Sequence, residues 1–158
     1  MSQHERAPLT RRMFISSGAV GAMGALALTG PADAAELTER EKTNVAAVNG
    51  FCAAWKSSDA AKAGTFLADA CIVRFLASTD NNPPVNGRAA VVEQIGKYLS
   101  GMKIEFVIQE TFAKGPIVVN RRVDRLVTAT GTREIQIVGV FFVRQGQIKE
   151  WHDFAADV

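Results

Sequence analysis

From Lys103 to Phe154 the chain holds four β-rich stretches with almost nothing between them. Lys103–Phe112, Ile117–Thr128, Arg133–Arg144 and Gln147–Phe154 abound in Val, Ile, Thr and Phe, residues that suit a pleated, half-buried surface. Gly115-Pro116, Thr130-Gly131 and Gln145-Gly146 separate them, and the last break is tight enough for a two-residue hairpin. Any fold proposed for this chain must accommodate that run of strands.

What precedes it is mostly helical. Thr38 and Glu41 form a Thr-x-x-Glu capping box, a helix-start signal. Val45, Val48, Phe51, Cys52 and Trp55 follow at helical spacing and make one apolar face. Ser57-Ser58-Asp59 breaks this helix and caps a short second one, through about Phe66. Cys71–Leu76 reads as a strand. Asp80-Asn81-Asn82-Pro83-Pro84 is a loop. Gly87-Arg88 opens a third helix with Val91, Val92, Ile95, Tyr98 and Leu99 on its apolar side, ended by Gly101. Helices gathered before a run of strands indicate α+β rather than a doubly wound sheet. The expected architecture is a curved antiparallel sheet wrapped on the N-terminal helices, a cone with a closed apolar pocket. No internal repeat occurs and no linker follows residue 35, so residues 35–158 read as one domain.

Residues 1–34 have a different character. Thr10-Arg11-Arg12-Met13-Phe14 precedes a weakly apolar, Gly- and Ala-rich run to Leu28, then Ala32-Asp33-Ala34. Charged, apolar and small-residue segments in that order make an export signal cleaved after Ala34. The paired arginines before Phe14 resemble a twin-arginine address. The expected location is periplasmic or secreted, with no stable membrane insertion after cleavage. That route carries folded proteins, so a domain needing no disulfide is favoured. Cys52, on an apolar helix face, and Cys71, at a strand start, read as buried small hydrophobes. No CxxC or Cys/His cluster suggests a metal site. A net charge of +2 gives no electrostatic case for nucleic acid or anionic membranes.

Chemistry concentrates on two strands. Arg122 and Asp124 lie two apart and share a face; so do Trp151 and Asp153. With both faces inward, one guanidinium stands between two carboxylates among apolar walls. A buried charge must be paired, and the planar fork of an arginine can bond both acids. Two neighbouring carboxyls do not ionise equally, which yields a matched acid and base. From spacing alone, a structural ion network in a binding cavity explains the same residues. His152, Arg121 and Arg125 fall on the opposite face; Arg74, flanked by Val73 and Phe75, fits either side.

Asn120-Arg121-Arg122-Val123-Asp124, then Gly139-Val140-Phe141, Gly146-Gln147-Ile148 and Trp151-His152-Asp153-Phe154, resemble the limonene-1,2-epoxide hydrolase family. Glu110-Thr111-Phe112 and Pro83-Pro84 before Gly87-Arg88 add to the likeness. The resemblance implies a cone similar to nuclear transport factor 2 and ketosteroid isomerase, within the SnoaL-like and cystatin-like group. It implies that Asp153 activates water, Asp124 protonates the epoxide oxygen and Arg122 bridges them. No metal or cofactor is implied. Val73, Phe75, Trp151 and Asn120 would contact a small apolar molecule. Such cones often pair, so the resemblance suggests a homodimer. In one respect this chain departs from the family, which places a Tyr and an Asn on the first strand to hold the water. Val73 and Phe75 are the nearest positions here, and the only tyrosine is Tyr98. The loop from Leu76 to Asn86 is longer than usual, with Asn81 and Asn82 its nearest amides. Two alternatives therefore stay open: a small-molecule binding protein with a relic triad, and an isomerase or cyclase on the same cone.

Overall fold

The computed structural model describes residues 36–76 and 83–155. The expected export segment, residues 1–34, lies outside the described residues, as does the Asp80-Asn81-Asn82 part of the long loop. No described helix is long and apolar enough to cross a membrane.

The chain runs α1 (Glu39–Lys56), α2 (Ala60–Gly64), β1 (Leu67–Arg74), β2 (Val85–Asn86), α3 (Arg88–Gly101), β3 (Lys103–Lys114), β4 (Ile117–Thr128), β5 (Gly131–Arg144) and β6 (Gln147–Ala155). The capping box forms as its residues dictate: Thr38 Oγ1 accepts from the Glu41 amide, and Glu41 Oε2 accepts from the Thr38 amide at 2.8 Å. Glu41 does more than cap. Its Oε1 accepts from the Gly115 amide at 2.7 Å, while Asn44 Nδ2 donates to the Gly115 carbonyl at 2.9 Å. The start of α1 is thereby tied to the β3–β4 turn. These backbone donors, Gly115 first and then Thr38, lower the Glu41 pKa to about 2.

The six strands form one open sheet in the order β2-β1-β6-β5-β4-β3. β3 to β6 make the expected antiparallel meander. The β5–β6 turn places Gln145 and Gly146 both at positive φ, 53° and 72°, the backbone a tight hairpin needs. An all-antiparallel sheet is not what forms, however. β1 pairs with β6 in parallel, with Val73 beside Trp151 and Arg74 beside His152. The physical reason lies in the connection: β1 reaches the meander through α3, a crossover long enough to permit a parallel partner. β1 also begins at Leu67, before the expected Cys71, because pairing with Ile148 carries the Ala68-Asp69-Ala70 segment into the sheet.

The core lies between the helices and the concave face. Val48, Phe51 and Trp55 of α1 and Val91 and Ile95 of α3 pack with Leu67, Val73, Phe141, Ile148 and Trp151, all essentially solvent-free. Phe141 and Trp151 stack at an interplanar angle of 3°, with Phe51 edge-on against both. A register shift between Phe142 and Val143 lets Ile148 and Trp151, three residues apart, both turn inward. Cys52 and Cys71 are buried free thiols, as expected.

Candidate active site

Alternation along β4 points Val118, Asn120, Arg122 and Asp124 into the concave side. Alternation on β6 does the same for Trp151 and Asp153. Arg122 is wholly buried, and only 8% of Asp124 and 5% of Asp153 remain exposed. Arg122 Nε donates to Asp124 Oδ1 at 2.7 Å and Nη2 to Asp124 Oδ2 at 3.3 Å. Nη2 also donates to Asp153 Oδ2 at 2.6 Å, and Nη1 to Asn120 Oδ1 at 3.0 Å. Asp153 Oδ1 accepts from Trp151 Nε1 at 2.6 Å. Phe106 closes one face of the guanidinium, its ring centroid 4.3 Å from the Arg122 carbon, a cation–π contact.

Position in the sheet explains why the arginine reaches both acids. Asn120, Gly139 and Asp153 stand side by side across β4, β5 and β6. To join them, the guanidinium must pass over the middle strand. It does so where that strand carries no side chain: a Cβ on Gly139 would come within 2.3 Å of Arg122 Nη1 and 2.7 Å of Asn120 Oδ1. Asn120 is held beneath by Cys52, its Nδ2 donating to Sγ at 3.6 Å. Burial pushes the Cys52 thiol up to about 12, so it stays a neutral partner.

The electrostatics follow from one cation between two buried acids. Burial raises the pKa of Asp124 to about 6, with the Arg122 charge and hydrogen bonds acting against it. Burial raises Asp153 as well, opposed by Arg122 and by the Trp151 N–H. Removing such charges from water costs several kcal/mol per ion unless geometry and hydrogen bonds compensate. Four donor contacts from a single guanidinium supply that compensation.

A cavity of about 160 Å³ opens beside the two acids. Phe75, Tyr98, Met102, Phe106, Leu126 and Trp151 are among its mostly apolar walls, with Asp124 and Asp153 as its charged groups. Of the residues expected to touch a ligand, Phe75 and Trp151 line it. Val73 and Asn120 do not: Val73 lies in the solvent-free core level with Trp151, and Asn120 is covered by the arginine it holds. Tyr98 joins the wall from α3, edge-on to Phe75 at 5.2 Å. Sequence reasoning gave no role in the site to Gly139, Phe106 or Trp55. Cross-strand register would have exposed Gly139; no residue-type signal marked the other two. On the opposite face, Arg121 pairs with Glu110 at 3.0 Å and Arg125 with Glu134 at 2.7 Å, as ordinary exposed ion pairs.

A curved open sheet packed on helices, with one arginine and two aspartates sunk in the concave side, has the fold of the nuclear transport factor 2-like and SnoaL-like cone class. Within that class the chain belongs to the limonene-1,2-epoxide hydrolase family, whose catalytic domain matches residues 42–158. Among solved structures it is similar to a limonene-epoxide-hydrolase-like epoxide hydrolase of Mycobacterium tuberculosis. The two share 21% identity over 73% of this chain and 84% of that one, with a TM-score of 0.66. A SnoaL-like polyketide cyclase from Jannaschia sp. CCS1 superposes with a TM-score of 0.65 at 15% identity, over 76% of this chain and 90% of its own. A further M. tuberculosis protein, solved with estradiol-17β-hemisuccinate, gives 0.62 at 15% identity, over 71% and 92%. No curated protein matches the sequence.

Proposed function

We propose that the protein opens a small apolar epoxide to a diol by direct attack of water. Asp153 takes a proton from the water as its oxygen bonds to a ring carbon. The carbon–oxygen bond of the ring breaks, and Asp124 gives its proton to the departing oxygen. Asp153 is then protonated and Asp124 ionised, and exchange with solvent restores the starting state. The observation that carries this reading is Arg122 held between Asp124 and Asp153 at the base of an apolar cavity.

Bond lengths support the division of roles. Both Asp153 oxygens accept bonds of 2.6 Å, which oppose the rise in its pKa that burial causes. Asp124 Oδ2 is held only at 3.3 Å, the place where a proton is accommodated with least loss. The test is diol formation from limonene and styrene epoxides. In a single turnover in ¹⁸O-water, the label should appear in the diol and not in the protein. An intact fold with no turnover across the panel would count against the proposal.

A second reading is favoured by one observation, the apolar character of the positions where the family holds its water. Phe75 lines the cavity and offers no hydrogen bond, and Val73 is buried away from it. On that reading the cavity only binds. Ligand affinity that survives Asp153→Asn, with no turnover by either form, would favour it. The homodimer suggested by resemblance belongs to the same proposal, and light scattering on the purified protein tests it.

A further inference from the structure

The concave face continues past the cavity. Met102 and Leu126 line the cavity beside the acids, and they also line a second, outer hollow of about 360 Å³ at the β4–β5 turn. Thr128, Thr130 and Arg133 are among the other walls of that hollow. Alternation puts Arg133 on the same face as the acids. Asp124, Leu126 and Thr128 follow at steps of two on β4, and Ile137, Ile135 and Arg133 do so on β5. The register sets Arg133 directly opposite Leu126. Its neighbour Glu134 agrees, because it bonds Arg125 on the other face of the sheet at 2.7 Å. From base to mouth, the concave side therefore runs from two acids, past Leu126 and Ile135, to a cation. That cation is uncommitted. On β4, Arg121 holds Glu110, Arg122 holds both aspartates and Arg125 holds Glu134. Among the described residues the Arg133 guanidinium has no acid and no hydrogen-bond partner, and no carboxylate lines the outer hollow. A guanidinium so placed suits a carboxylate, which its planar fork binds through two parallel hydrogen bonds.

We propose that Arg133 is a substrate-binding residue, and that the substrate is an apolar epoxide carrying a carboxylate at the end remote from the oxirane. This rests on the reading of the inner cavity as an epoxide site. Charge fixes the orientation. Asp124 and Asp153 share one cation, so a further anion is repelled from the base and drawn to the mouth. Spacing fixes the length. Two strand residues separate Asp124 from Leu126, the position opposite Arg133, a rise of about 7 Å. One six-membered ring with the two groups on opposite carbons spans such a gap. A neutral epoxide of the same shape fills the inner walls but leaves the guanidinium to water.

The experiment uses the full chain carrying Asp153→Asn, which removes the base and allows binding to be read without turnover. Para-carboxystyrene oxide and its methyl ester are titrated by calorimetry into that protein, and into the same protein with Arg133→Gln or Arg133→Lys. Arg133 is exposed and unpaired, so neither change disturbs the fold. The carboxylate should bind about fivefold tighter than the ester, the upper worth of an exposed ion pair. Arg133→Gln should erase that ratio and Arg133→Lys should keep part of it. Salt at about 1 M should shrink it, because an exposed pair is screened. Equal affinity for acid and ester overturns the proposal, as does a ratio that survives Arg133→Gln; the epoxide reading stands in both cases. If neither compound binds, the epoxide reading itself fails, and this inference falls with it.

Discussion

Gly139→Ala isolates the geometry that lets Arg122 serve two acids. The added methyl would sit 2.3 Å from Nη1, 2.7 Å from Asn120 Oδ1 and 2.9 Å from a Phe141 ring carbon. Contacts of that kind normally lie at 3.4 Å or beyond, so the guanidinium must retreat by roughly 1 Å. Nη2 then loses its 2.6 Å bond to Asp153, because a separation near 3.6 Å no longer counts as a hydrogen bond. Gly139 is not among the positive-φ residues, so alanine there meets no backbone strain. Overpacking of this sort costs about 1–3 kcal/mol. Reduced freedom of the unfolded chain returns about 0.4–1 kcal/mol. A net loss of about 1–2 kcal/mol is expected, read as a lower urea midpoint at unchanged m-value. Turnover of an epoxide substrate should fall about a hundredfold, the usual penalty for a misplacement of that size. A variant within about 0.5 kcal/mol of the parent, the ordinary spread of neutral substitutions, and with undiminished turnover would refute the reasoning.

Asp153→Asn should lower kcat by about 10²–10⁴, the range for loss of a general base, while ligand affinity measured by calorimetry changes little. The pH dependence follows from Asp124, raised by burial to about 6. Its proton is needed for ring opening, so kcat/KM should decline about tenfold per pH unit above that value. The stability consequence runs the same way. An acid that holds its proton more tightly folded than unfolded destabilises the fold once both forms are ionised. Unfolding free energy should therefore fall as pH rises from about 4 to 6, by on the order of 3 kcal/mol, and Asp124→Asn should flatten that slope. Glu41 works in the opposite sense. Its pKa is lowered to about 2 by the Gly115 and Thr38 donors, so its contribution is present above about pH 4 and is lost on further acidification. Glu41→Ala should lower the melting temperature at pH 7 and narrow the gap to the parent near pH 2. If residues 1–34 are an export signal, the protein recovered outside the cytoplasm should begin at Ala35, and Arg11→Lys with Arg12→Lys should hold it inside.

Local features were the ones the sequence displayed. The capping box at Thr38, the hairpin at Gln145-Gly146 and the shared face of Arg122 and Asp124 each depend on residues within a few positions of one another. Alternation placed Val73 and Phe75 on one face, but it says nothing of depth along the cone. Val73 lies level with Trp151 in the core, whereas Phe75, past the end of β1, borders the cavity. The parallel partnership of β1 with β6 joins distant segments and leaves no local mark. The role of Gly139 escaped notice for a different reason. Its contribution is an absent side chain, and only the register Asn120–Gly139–Asp153 shows why the space is needed.

The joining of the first long strand to the last bears on how the molecule is made. As synthesis proceeds through the middle strands, β1 has only two-residue β2 beside it. Its other edge stays open until Ile148, Trp151 and His152 leave the ribosome. Asp153 sits in that same late segment. Sheet and chemistry are thus completed in a single step, and a nascent chain stopped before it has neither. Such a chain also presents an unpaired strand to its neighbours, a standing invitation to aggregate.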